Sequence, residues 1–169
     1  ANKIFSLIIV TALVLGVILS TVGNLLIKNI AFLLGARGEL LRLSTVYGRI
    51  LLISMPFFML QNIFQSFFVT AEKPKLGLAV TLAAGVTNIV LDALFIGVFK
   101  WGIIGAAVAT SLSEFLGGFV PLLYFLSKNS STLRLVRPEF NGRALLKTST
   151  NGSSEFVTNI SMSVVGALY

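Results

Sequence analysis

The sequence predicts an all-α protein, a polytopic transmembrane helix bundle. Three observations lead there. Of 169 residues, 56% are hydrophobic and only 11% charged, with a mean hydropathy of +0.95. An ordinary soluble domain carries about 25% charged residues, so too few charges are present here to cover a water-facing surface. The apolar residues fall into five long runs, at 4–27, 50–71, 76–99, 101–127 and 148–169. Each reaches the roughly 20 residues that carry a helix across a ~30 Å hydrocarbon core. None alternates apolar with polar, as strands of a membrane β-barrel would.

The first two runs contain no charge. The third, fourth and fifth each contain one acid: Asp92, Glu114 and Glu155. Between them, 28–49 reads as a long connection with Lys28, Arg37, Glu39, Arg42 and Arg49, its tip marked by Gly35 and Gly38. Glu72-Lys73-Pro74-Lys75 is a tight basic turn, and Phe99-Lys100-Trp101-Gly102 a tighter one with an aromatic suited to the membrane interface. Residues 128–147 form a linker, polar at first and then rich in Arg, with a short surface helix expected over 141–147. The run at 148–169 is more polar than the others. The chain opens at Ala1 without a start methionine and stops at Tyr169 inside an apolar run, which suggests a piece of a longer protein. The first run is too long for the core of a signal peptide.

A net charge of +7 invites a nucleic-acid reading. The basic residues lie in the gaps between apolar runs and not along a helical face, so they serve as interfacial anchors and topology signals. No nucleic-acid partner is expected; the surrounding partner is the lipid bilayer. Lys3, the Lys73/Lys75 turn and the linker place eight of the 13 Lys and Arg on one side, against five on the other. That excess assigns the Lys73 turn and the linker to the cytoplasm of a bacterial cytoplasmic membrane.

With no Cys and no His, thiol chemistry, Cys/His metal sites and His-based triads are excluded. Proton chemistry falls to carboxylates, and no nucleophile pair or phosphate loop suggests an enzyme. A carboxylate in mid-membrane costs at least ~2.5–3.5 kcal/mol on insertion scales, so it needs water, a partner or a proton. Asp92 has the best company. Thr81, Gly85, Asn88 and Asp92 recur at helical spacing and share one face. Asn88 and Asp92, one turn apart, can share a cation or a proton; packing hydrogen bonds are the bland alternative. The fourth run carries two rows of mostly small residues, Gly105-Ala109-Ser113-Gly117 and Gly102-Ala106-Thr110-Glu114-Gly118, which let a neighbouring backbone approach. Counting from the turn near residue 100 brings Thr110 to the depth of Asp92. Glu114, one turn deeper, joins that site or faces a cavity. Gln61 and Gln65 share a face of the second run and are candidates to line a cavity, although packing explains them equally well. Its phenylalanines pack or face lipid. Pro56 and Pro121 kink their helices. Glu155, after Asn151-Gly152-Ser153-Ser154, fits a helix-start carboxylate as well as a functional one.

The stretch from Asn88 to Ile96, reading N-x-x-L-D-x-x-F-I, is followed from Gly102 to Thr110 by G-x-x-G-A-A-x-A-T. This pair resembles the multidrug and toxic compound extrusion (MATE) family, and the run at 151–156 resembles the start of the seventh helix in its MepA-like branch. The resemblance covers the whole chain but about a third of a family member. It implies helices three to seven of a two-lobe, twelve-helix transporter: 1–127 in the amino-terminal lobe, 128–147 as the cytoplasmic bridge, and 148–169 as the first helix of the second lobe. It implies secondary active efflux of amphipathic organic cations against H⁺ or Na⁺, with no other cofactor. It also implies a cation site formed by Asn88, Asp92 and Thr110, with Glu155 matching a seventh-helix acid important in other branches. The partners such a site needs come from the rest of the same transporter chain, so the 169 residues alone are expected to be inactive. A lipid-linked oligosaccharide flippase would need basic residues inside the membrane runs, and there are none. A non-transporting scaffold would tolerate Leu at 92.

Overall fold

The computed structural model describes residues 2–127, 131–143, 145–146, 148, 150 and 161–162. Four long helices fill most of it, and no strand occurs among the described residues. They are α1 (Asn2–Leu33), α2 (Gly38–Thr70), α3 (Pro74–Asp92) and α4 (Gly102–Leu126), with a π-helical turn, Ala93–Val98, continuing α3. Each of α1, α2, α4 and the continuous α3–π segment is long and apolar enough to cross a membrane.

The expected long connection at 28–49 is a correction: only 34–37 separates α1 from α2. A charge-free run marks the part of a helix that fits in lipid, not the helix itself. Leu, Ile, Arg and Glu are good or tolerated helix residues, and α1, at about 1.5 Å per residue, extends well past the hydrocarbon core. Arg42 and Glu39 form an exposed pair one turn apart at 2.5 Å in the start of α2. The short turn is tied by Ala36 N–H to the Ala31 carbonyl at 3.0 Å. Gly35 adopts φ +97° there, a conformation that suits glycine. Arg37 then caps α1, donating to the Phe32 and Ala36 carbonyls and lying 3.7 Å over the Phe32 ring. The other two turns fall where the basic residues place them. Pro74 opens α3, where its missing N–H costs nothing. Lys100 at φ +57° reverses the chain before α4.

α2 is the central helix, packing on α1 and α4, while α3 packs mainly on α4. Small residues set these crossings. A Cβ on Gly16 would lie 2.7 Å from the Pro56 backbone, and one on Gly118 2.5 Å from the Phe57 carbonyl oxygen. Pro56 thus sits wedged at the α1–α2 crossing. The apolar core lies towards one end of the bundle: Phe5, Ile9, Leu60, Phe64, Phe68, Ala71 and Phe125, with Leu133 from beyond α4. Phe125 is its centre, 5.0 Å from Phe5 and 5.5 Å from Phe64 between ring centroids. Phe64 and Phe68 are fully buried, as packing residues should be, and Phe58 is exposed.

Leu133 arrives on an extended strap. The Val136 amide donates to Ser6 Oγ at 2.8 Å, Leu135 N–H to the Phe125 carbonyl at 3.3 Å, and Lys3 Nζ to Glu139 at 2.6 Å. The linker therefore returns over the start of α1, at the same end as the Lys73 turn. Residues 142–143 and 145–146 are helical, within the short helix expected at 141–147. The fifth run, including Glu155, lies outside the described residues save for four helical positions, 148, 150 and 161–162.

Candidate ion site

The Gly105-Ala109-Ser113-Gly117 row of α4 is buried throughout and forms its packing seam. The neighbouring row runs along the edge of that seam, with Thr110 and Glu114 half-buried. Edge positions between packed helices hold polar groups near protein oxygens while leaving access from one side.

Asn88 Nδ2 of α3 donates to Thr110 Oγ1 of α4 at 3.4 Å. Donation through the amide nitrogen leaves the Asn88 carbonyl oxygen available. Asp92, one turn along α3, has a buried Oδ1 with no hydrogen-bond partner among the described residues. The structure thus joins Asn88 and Thr110 and sets Asp92 one turn away. Thr110 stands at the level of Asn88 and not, as counting from the turn suggested, at that of Asp92. The count assumed α-helical rise throughout, whereas the six residues after Asp92 are π-helical: Phe99 N–H bonds the Leu94 carbonyl, five residues back, at 2.9 Å. Phe95 in that turn packs against Gly105 and stacks on Trp101 at 5.1 Å, holding the end of α3 to α4.

A carboxylate, an amide carbonyl and a hydroxyl are hard oxygen donors, suited to a proton or an alkali or alkaline-earth cation. The unpartnered Asp92 oxygen fits such a group. No cluster of three His, Cys, Asp or Glu that could hold a tightly bound metal occurs among the described residues.

The other candidates separate. Gln65 Nε2 donates to Thr81 Oγ1 at 3.2 Å and lines a small cleft between α2 and α3. Gln61 lies in the α2–α4 seam against Gly117, whose added Cβ would stand 2.5 Å from the Gln61 amide carbon, and its Oε1 is buried without a partner among the described residues. Glu114 reaches not towards Asp92 but to Ser54 of α2, at 2.5 Å. Sequence reasoning counted Ser54 among the polar residues around Pro56 that could line a cavity, but missed its pairing with Glu114 and the π turn. A lone Ser in an apolar run carries no signal of its partner, and Gly97 is a weak sign of an irregular turn.

The family model MatE matches residues 1–94, a stretch that includes Asn88 and Asp92. The multidrug export protein MepA of Staphylococcus saprophyticus is 33% identical over 157 residues, 91% of this chain and 34% of that protein. MepA of Staphylococcus aureus strain bovine RF122 is 30% identical over 155 residues, 90% of this chain and 34% of that protein. This chain therefore spans about a third of these relatives. A solved structure described as the inward-facing conformation of a multidrug resistance MATE family transporter of the MOP superfamily superposes with a TM-score of 0.78. It shares 22% identity, covering 86% of this chain and 33% of that one, and shows the shared fold. With more than half its length matched by the family model and its helices arranged as in that transporter, this multi-spanning membrane chain belongs to the MatE family.

Proposed function

We propose that these helices are part of a secondary transporter that exports amphipathic organic cations in exchange for inward H⁺ or Na⁺. The observation that carries the reading is the unpartnered buried oxygen of Asp92 beside the Asn88–Thr110 bridge. Multidrug export by the MepA relatives supports the direction and substrate class. Residues 1–127 belong to the amino-terminal lobe, 128–147 bridge the lobes at the cytoplasmic side of the bacterial membrane, and 148–169 begin the second lobe. Asp92, Asn88 and Thr110 hold the coupling ion. Binding neutralises the carboxylate and changes how α3 and α4 pack. Drug and ion need only favour opposite conformations of the lobes; they need not share atoms.

The test is ethidium efflux by the full-length chain, with H⁺ and Na⁺ gradients imposed separately. Asp92→Asn should abolish gradient-driven efflux. Wild-type efflux from that variant under both gradients would overturn the assignment.

A further inference from the structure

Glu114 is not part of the Asp92 site. Going along α4, Thr110 meets Asn88 and Gly105 meets Phe95, so Asp92 and Glu114 lie on opposite sides of the Asn88–Thr110 bridge. Glu114 belongs to the α2–α4 seam, close to the tight Gly118–Phe57 crossing.

Its partner Ser54 is buried, with 4% exposure. Ser54 Oγ lies 2.5 Å from Glu114 Oε2 and 2.9 Å from the Leu51 carbonyl oxygen, an acceptor on its own helix. A hydroxyl has one proton to donate, so it cannot serve both acceptors. With Glu114 ionised, the Ser54 proton goes to the carboxylate, and an O–H···O⁻ bond of this length is a strong one. With Glu114 protonated, the carboxylic acid donates to Ser54 Oγ, and the Ser54 proton turns to the Leu51 carbonyl. Both protonation states complete their hydrogen bonds with the same three groups.

No basic side chain pairs with Glu114 among the described residues. The ion pairs among the described residues are Lys3–Glu139 and Arg42–Glu39, both exposed and far along the chain from it. On α2 the nearest charged or titratable groups to Ser54 are Arg49 and Tyr47, more than a turn earlier, with Arg42 and Glu39 at the helix start. On α3 they are Asp92, beyond the bridge, and Lys75 at the other end; the π turn has none; on α4 itself the next is Tyr124. A half-buried carboxylate without a cation beside it is balanced most simply by a proton.

We propose that Glu114 and Ser54 form a second proton-holding site, separate from Asp92, whose loading is read out by the Ser54 hydroxyl. The proposal rests on the antiport reading above and extends it. The readout has a mechanical consequence. Ser54 stands two residues before Pro56, which lacks an N–H and leaves a gap in the α2 ladder. A Ser proton turned onto its own helix carbonyl bends the helix. Taking up a proton at Glu114 Oε2 therefore adds a bond to the weakest stretch of α2, where Pro56 is wedged against Gly16.

The experiment uses the full-length chain in lipid nanodiscs, with infrared difference spectra recorded through a pH titration. A protonated-carboxyl C=O band should vanish in Glu114→Gln, move in Ser54→Ala, return in Ser54→Thr, and remain in Asp92→Asn. Ethidium binding should survive in Glu114→Gln, showing that the variant folds, while H⁺-driven efflux is lost. A full set of bands in Glu114→Gln, or wild-type H⁺-driven efflux from it, would overturn the proposal. Because the band is read without transport, and in Asp92→Asn as well, failure here is distinct from failure of the antiport reading.

Discussion

Asn88 of α3 donates a hydrogen bond to Thr110 of α4 at 3.4 Å, and that bond bridges the seam beside the buried, unpartnered oxygen of Asp92. The bridge fixes two neutral polar side chains at one level of the bundle. It keeps the Thr110 hydroxyl and the Asn88 carbonyl oxygen near the carboxylate.

Thr110→Ala removes one oxygen and leaves the Asn88 amide without its acceptor. A lost hydrogen bond of this kind costs about 1 kcal/mol. The coupling-ion concentration for half-maximal efflux should rise several-fold, and Thr110→Ser should restore it. Unchanged ion dependence in the Ala variant would remove Thr110 from the site.

Gly118 of α4 should differ sharply from the open Gly85 of α3. A methyl on Gly118 would meet the Phe57 backbone at 2.5 Å, whereas one on Gly85 meets nothing within 4 Å. Overpacking typically costs about 1–3 kcal/mol. Gly118→Ala should lower the thermal midpoint of the detergent-solubilised full-length protein, and Gly85→Ala should leave it unchanged or slightly raised.

A π turn is a helix carrying one extra residue in a wider ring. Deleting Ile96 from the 93–98 turn should convert it to α-helix while leaving the flanking registers in place, so the protein should still fold and insert. Deleting Val86 instead rotates everything after it by about 100° and takes Asp92 out of the seam. Thermal unfolding of the two deletion variants should separate them; equal loss in both would argue against the turn as a tolerated insertion.

The strap is held by Leu133 in the aromatic core and by the Ser6 and Phe125 bonds. Leu133→Asp places a charge in that apolar pocket, and the strap should detach. Limited trypsin digestion should then cut faster after Arg134 and Arg137, with Leu133→Ile as the control that retains protection.

Glu139 adds a pH-dependent contact to the same strap. Its hydrogen bond and attraction to Lys3 hold its carboxyl below the usual carboxylate range. A lowered value means that the contribution is complete above the ordinary glutamate range and is lost as pH falls through the depressed value. The pair is exposed, so the effect is small. Protection of the strap amides, corrected for the intrinsic exchange rate at each pH, should stay constant from neutral pH to the ordinary glutamate range and weaken below it relative to Glu139→Gln, in which that extra step disappears.

Much of the architecture was legible before any coordinates. Charge-free runs located four spans, and Lys73-Pro74 and Lys100-Trp101 located two turns, because lipid excludes charge and a Pro beside charged residues readily opens a helix, where its missing N–H costs nothing. That Thr110 of α4 faces the polar side of α3 was legible too, since an antiparallel neighbour puts it within reach, although the count set it beside Asp92 and the structure bonds it to Asn88. The 28–49 stretch was misread because charge reports the edge of the membrane, while a helix ends only where its backbone finds a cap, here at Gly35 and Arg37.

By itself the sequence determined that the chain is a bundle of membrane-spanning helices, which end of it is basic, and which acids stand in its apolar runs. Those are properties of single segments in a solvent, set by composition and helical period. Only the tertiary structure decided that Glu114 meets Ser54 and not Asp92, that Gln61 is packed against Gly117, and that the linker returns to Ser6. Such pairings depend on which helix faces which and at what height. Close glycine contacts and one π turn set that height; the small-residue rows mark where a neighbour can approach, but not which neighbour or at what level.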